Sequence, residues 1–343
     1  MKRLLLALVF VMLCASCDKR SDAVWLTYAS QYSPHHPFSR ADQEWIDFVE
    51  RESEGRVRIR AIWSGGLLSS AESMIELRHG VADIGLITPI YATGGAHLIR
   101  TQAGFYSGVT TIENQIALYH CMAEAHEQFA VELEGLKVLA VQGGNLPGIV
   151  MRDRPVRTLA DLEGMRLRAP TELLEVLRSL GADPVSMPMA DVYSALAKGI
   201  IDGVLAPADT FRSLHFAEVS RYFTELEIPR GAYPARAMSA KRWQTLSPDV
   251  QAVLDRSTAV WEAALATQIR TALEAGVAYA LENGVEILSI DEADQRRFEE
   301  FYESDVEHEA SRLDRFGIDG LAVLQTARAS VADDGAIRCS GGF

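Results

Sequence analysis

With 343 residues, 48% of them hydrophobic, the chain is long enough for two domains of ordinary size with full cores. Its formal net charge is −14, and acidic and basic residues are well mixed. That excludes a nucleic-acid binder, because phosphate contacts need clustered Lys and Arg.

The chain opens with Lys2-Arg3 and an apolar run of ten, Leu4 to Leu13. Ten residues are too few to span a bilayer as a helix, which takes about 20. Residues 1–17 read as a secretion leader. Cys14-Ala15-Ser16-Cys17 resembles the lipobox of bacterial lipoproteins, with Cys14 where an aliphatic residue is usual. That resemblance implies lipidation of Cys17 and anchoring to a membrane. Asp18 resembles an inner-membrane retention signal. The alternative is an ordinary cleaved signal peptide. No later stretch is apolar for long enough to form a membrane-spanning helix.

After a polar tether (18–23), Val24 to Ser30 reads as a strand and YSPHHPF (32–38) as a Pro-broken loop. Ser39 begins a helix carrying Trp45, Ile46, Phe48 and Val49, ended by Gly55. Strand 57–63, a helix from Ser70 to Leu77 and strand 82–88 follow. This rhythm is that of a mainly parallel sheet covered on both faces. A looser stretch, a helix around 111–132 and strand 137–142 come next. The turn-rich GGNLPG (143–148) marks a crossing into a second domain that runs to about residue 229. Its strands are near 148–151, 166–169, 183–187 and 202–206, its helices at 171–180 and 190–198. The pattern from 247 to 283 is one long helix, about 50 Å at ~1.5 Å per residue, which would brace both lobes. Strand 285–290 and an acidic helix (291–313) close the first domain. The expected division is therefore lobe I at 24–147 plus 230–331, lobe II at 148–229, and a disordered tail at 332–343. A chain that visits a second lobe and returns permits hinge closure around a ligand.

No nucleophile elbow, phosphate-binding loop, metalloprotease motif or CxxC occurs, so nothing in the sequence supports an enzyme. His35-His36 reads as an exposed turn, and His120, Glu124 and His126 as a solvated helix face; no metal or cofactor is expected. Asp153, Asp161 and Glu163 read as loop and first-turn carboxylates. Outside the leader the cysteines are Cys121 and Cys339. Export would permit a disulfide; spacing does not decide the pairing, and two separate thiols are the expectation. Arg168 stands out. It follows Leu167 and precedes Ala169-Pro170, at the carboxyl end of a strand, where α/β sheets hold ligands. A guanidinium there can grip a carboxylate through two parallel bonds; an ion pair within the protein is the plainer alternative.

Longer patterns carry a resemblance. They are GRVRI (55–59), Gly65-Gly66-Leu67, MIELRHGVADIG (74–85), PVRTLADLEGMRLRAP (155–170) and GADPVSMPMADVYSALAKGIIDG (181–203). In this order and spacing the chain resembles the DctP-type solute-binding proteins of TRAP transporters over nearly all of its mature length. The resemblance implies an α/β, two-lobed, periplasmic-binding-protein-like fold with mixed, mainly parallel sheets and hinge strands. It implies a receptor that closes around a small organic acid and delivers it to the small and large permease subunits. A sensory protein presenting its ligand to a membrane kinase or chemoreceptor is the alternative. Arg168 corresponds to the family's ligand-anchoring arginine. Gln31 and Thr88 correspond to contacts from the first and third strands, and Met189 to an apolar lid position. Tyr91 and Phe211 are wall candidates.

The sequence also departs from that family. Ala206 stands where an Asn is usual, and the stretch Gly144-Asn145-Leu146-Pro147-Gly148 lacks the second Arg of sialic-acid-type members. One cation and few polar partners point to a monocarboxylate with an apolar or aromatic body, because a C4-dicarboxylate would leave polar groups unpaired at about 1–3 kcal/mol each. Asp209 is either an acceptor for a ligand amine or a helix cap.

Overall fold

The structure, a computed structural model, describes residues 23–92 and 94–339. Cys17, the leader and residues 340–343 lie outside the described residues. In chain order the principal elements begin with β1 (Val24–Ala29), α1 (Pro37–Glu52), β2 (Val57–Ile62), α2 (Ser73–Arg78), β3 (Ile84–Leu86), α3 (Ile112–Ala125) and β4 (Leu136–Gln142). Next come β5 (Gly148–Met151), β6 (Arg166–Arg168), α4 (Leu174–Ser179), β7 (Asp183–Val185), α5 (Met189–Ala197), β8 (Gly203–Ala206), β9 (Tyr222–Glu225) and β10 (Tyr233–Ser239). The last are α6 (Pro248–Glu282), β11 (Glu286–Ser289), α7 (Glu292–Ser311) and α8 (Gly320–Ser330).

Two mixed sheets result. The first has the order β2-β1-β3-β10-β4 and the second β11-β9-β5-β8-β6-β7. In the first, β1 runs parallel to β2 and β3, while β10 is antiparallel to β3 and β4. In the second, β6 runs parallel to β7 and β8, while β5 is antiparallel to β8 and β9. The chain crosses from first to second sheet between β4 and β5, at 143–147, and returns between β9 and β10, at 226–232. The 35-residue α6 makes a third crossing. It packs on α1 and β4 at the first sheet and on the short helix Thr210–Ser213 at the second. Gly276 makes that last approach possible: a Cβ there would stand 2.3 Å from the Ala208 carbonyl oxygen.

One boundary expected from the sequence is corrected. The strand near 286–289 does not join the first lobe but pairs in parallel with β9, so the second sheet takes its edge strand from beyond α6. α6 carries the chain across before β11 begins, and α7 then packs against both α4 and α8.

The first core is fastened by a buried ion pair. Arg236 on β10 donates from Nε to Asp42 Oδ1 at 2.8 Å, both side chains fully buried. Trp261 Nε1 of α6 donates to the same oxygen at 2.9 Å. Trp45 stacks on Trp261 with centroids 3.7 Å apart and donates to Ser257 Oγ. One carboxylate thus ties α1, β10 and α6 together, and its neighbours are large apolar rings that water does not reach.

Four local expectations change. α1 begins at Pro37, not Ser39, and His36 is its cap: Nδ1 accepts from the Phe38 N–H at 3.2 Å. His36 is no exposed turn. It is buried, stacked on Tyr32 at 4.1 Å, and burial lowers its pKa from 6.5 to about 3. The tail is not loose through Cys339 either. Val331 bridges Ile337, Asn114 Nδ2 donates to the Gly335 carbonyl at 2.8 Å, and Cys121 and Cys339 form a disulfide rather than separate thiols. The 331–337 turn folds the tail back onto α3, which is what brings the two cysteines together. His120 pairs with Glu262 of α6, Nε2 to Oε1 at 3.4 Å.

Removing the disulfide frees a long loop in the unfolded chain and should lower stability by about 2–4 kcal/mol. Calorimetry of wild type and Cys339→Ser under oxidising conditions checks this; equal Tm values would contradict it. For His36 the folded pKa is lowered, so its stabilisation is present above pH 6.5 and is lost as pH falls towards 3. Between pH 7 and 5 this removes about 2 kcal/mol. His36→Asn keeps a cap acceptor but does not titrate, so its urea midpoint should fall less over that interval.

Candidate functional site

Arg168 ends β6, whose neighbours β7 and β8 both run parallel to it. Pro170 holds the chain extended there, and Ala169 N–H bonds the Val185 carbonyl at 3.0 Å. Strand alternation sends Leu167 into the second lobe's core and Arg168 the other way, towards the crossing segments. Arg168 is 2% exposed. Its Nε donates to the Met187 carbonyl at 3.0 Å and its Nη2 to the Tyr91 hydroxyl at 2.7 Å. Among the described residues, no carboxylate lies within ion-pairing distance of it. Leaving a buried cation unpaired costs several kcal/mol, which is why Arg236 has Asp42. A strand-end guanidinium kept dry and unpaired is poised for an anion.

A second arginine faces the same cavity. Arg230, in the returning crossing, donates from Nη1 to the Asn145 carbonyl at 3.1 Å and so joins the two crossings. Its guanidinium lies flat on Gly144, where a Cβ would stand 2.4 Å from Cζ. Among the described residues Arg230 also makes no ion pair. The expectation of a single cation is therefore corrected. The second one comes from the return crossing, not from the segment before Arg168. The signal was present as Pro229-Arg230-Gly231, a cation between two backbone-setting residues at a lobe boundary.

Glu172 completes the charged set. It sits on the 3₁₀ turn Thr171–Leu173 and lines the cavity with both arginines. Its Oε2 is shielded from solvent and has no hydrogen-bond partner. Burial raises its pKa, and Arg168 and Arg230 act against that rise. Sequence reading missed Glu172 because nothing in a Pro-Thr-Glu turn distinguishes it from a solvated first-turn acid.

The cavity measures about 80 Å³. Tyr91, Tyr233, Met189, Leu173 and Leu205 form much of its wall, and Pro147, Pro170, Pro207 and Pro229 stiffen its rim. A larger hollow of about 670 Å³ beside β9 and β11 is lined by Glu225, Glu227 and Glu292 against one cation, Arg296, so its lining is net negative.

The structure brings Arg168, Tyr91 and Met189 into this cavity and leaves the other predicted residues outside its wall. Gln31 Nε2 donates to the Ser69 and Leu86 carbonyls at 3.2 and 3.1 Å. Thr88 is buried; its hydroxyl donates to the Ser70 carbonyl, and its N–H donates to Ser73 Oγ at 3.1 Å. Ala206 faces the second lobe's core while Leu205 and Pro207 line the cavity, an effect of alternation along β8. Phe211 is fully buried and meets Phe223 edge-on at 5.5 Å. Asp209 stands at the N-cap position of the helix Thr210–Ser213 but makes no side-chain cap bond; its carboxylate accepts from Asn145 Nδ2 at 2.9 Å. It borders a different hollow, with Arg40 and Arg212. Among the described residues no helix is long and apolar enough to cross a membrane.

Two mixed sheets with segments crossing between them and a charged cavity at the crossings are the arrangement of a solute-binding receptor. The chain belongs to the family described as bacterial extracellular solute-binding protein, family 7 (DctP), whose profile matches residues 28–312. It is 24% identical over 232 residues to the 2,3-diketo-L-gulonate-binding periplasmic protein YiaO of Escherichia coli, covering 62% of this chain and 65% of that one. A TRAP solute-binding protein from Rhodoferax ferrireducens, solved with copurified benzoate, superposes with a TM-score of 0.81 at 26% identity, over 90% of this chain and 97% of that one. An open TRAP periplasmic protein from Desulfovibrio salexigens gives 0.73 at 27% identity, over 90% and 95%.

Proposed function

We propose that the protein captures a small organic acid by clamping its carboxylate on Arg168 and delivers it, in the periplasm, to a TRAP permease. The observation that carries this reading is the buried, unpaired Arg168 at a strand's carboxyl end, between two lobes joined by crossing segments. Arg168 offers Nη1 and the remaining Nη2 proton to a carboxylate, and Tyr91 already holds the guanidinium plane. The favoured ligand is a monocarboxylate with an apolar or aromatic body. The aromatic and proline-rich wall supports that, as does the benzoate in the Rhodoferax relative. An enclosure of about 80 Å³ favours a compact acid and entry by parting of the lobes. Arg230 gives one specific observation for a C4-dicarboxylate as second reading. Lipidation of Cys17 would keep the receptor at the membrane beside its permease.

Losing one partner of such a buried, charge-assisted pair costs about 2–5 kcal/mol. Arg168→Ala should therefore weaken acid binding at least ~30-fold in calorimetry, and it should cut the stabilisation of about 2.7 kcal/mol that ligand at 100 times its wild-type Kd confers to below about 1 kcal/mol. An unchanged affinity would overturn the assignment.

A further inference from the structure

Three charged side chains share one small cavity: the guanidinium groups of Arg168 and Arg230 and the carboxylate of Glu172. None of the three forms an ion pair among the described residues. Glu172 is the odd one. A carboxylate in an anion receptor repels its own ligand, and carboxylates are usually exposed unless paired. Here Oε2 is closed off from water and has no hydrogen-bond donor. In the same wall Arg168 Nη2 donates to the Tyr91 hydroxyl and Arg230 Nη1 to the Asn145 carbonyl.

We propose that Glu172 is the selectivity residue of this cavity: it accepts a hydrogen bond from a hydroxyl on the bound acid and excludes acids bearing a second carboxylate. The proposal rests on the reading of Arg168 as the carboxylate clamp. Two arguments carry it. A ligand hydroxyl is the donor that Oε2 lacks, and sites that hydrogen-bond a substrate hydroxyl reject analogues without it strongly, since the buried polar atom is otherwise left unpaired. Charge closure gives the second argument. Two guanidinium groups and one carboxylate sum to +1, so a monoanionic hydroxy acid brings the cavity to neutrality. A dicarboxylate overshoots to −1, and a zwitterionic amino acid leaves +1 buried. Arg230 then balances Glu172 across the bound acid rather than holding a second ligand carboxylate.

The test uses matched acids with the full-length receptor in calorimetry: propionate, lactate, malonate and alanine on an aliphatic body, and benzoate, 3-hydroxybenzoate and isophthalate on an aromatic one. In at least one set, the hydroxy acid should bind wild type at least ~10-fold more tightly than each of its set-mates. Glu172→Gln keeps the shape and removes the charge. It should narrow the gap between hydroxy acid and dicarboxylate at least ~10-fold, whereas a structural role would move every acid alike. Equal binding of parent and hydroxy acid, or a uniform shift in the variant, overturns the proposal. If acids bind and Arg168→Ala abolishes binding without hydroxyl selectivity, this inference falls and the clamp stands. If no acid binds wild type, both fall.

Discussion

Arg168 and Arg236 are equally withdrawn from water and are treated in opposite ways. Arg236 has a carboxylate at 2.8 Å, a second acceptor in Gln142 and a frame of tryptophan rings. Arg168 has a carbonyl, a phenol and no counter-charge. A fold tolerates such an unfinished interaction only where something else completes it, because a desolvated cation without a partner costs more than its hydrogen bonds return. The rest of the site follows from this asymmetry.

The crossings turn that local imbalance into a device. Residues 143–147 and 226–232 run side by side between the sheets and are joined by the bond from Arg230 to the Asn145 carbonyl. Gly144 has no side chain because Arg230 occupies the space. α6 spans the same gap and feeds β11 into the second sheet. The charged cavity thus lies where the lobes meet, so an acid bound there touches both of them and opposes their separation.

Much of this was legible in the sequence. Strand alternation, glycine breaks and the long apolar periodicity of 247–283 located most elements within a few residues. The strand-end position of Arg168 was readable because Leu167 and Pro170 bracket it. What escaped reading depends on tertiary proximity. β11 follows a helix that braces both lobes, and only pairing with β9 assigns it to the second sheet. Cys121 and Cys339 are far apart in the chain and meet because the tail turns back at 331–337. Arg230 and Glu172 converge on Arg168 from two separate loops. Ala206 illustrates the reverse case: a departure that looked like a lost ligand contact faces the core, since one step along a strand exchanges cavity for interior.

The site depends on completion of Arg168 by a ligand carboxylate. A crystal structure of the receptor saturated with a tight-binding acid addresses it directly. Both carboxylate oxygens should lie within hydrogen-bond distance of the Arg168 guanidinium, with Tyr91 still holding its edge. Finding the acid in another hollow, with Arg168 turned to pair with Glu172, would contradict it.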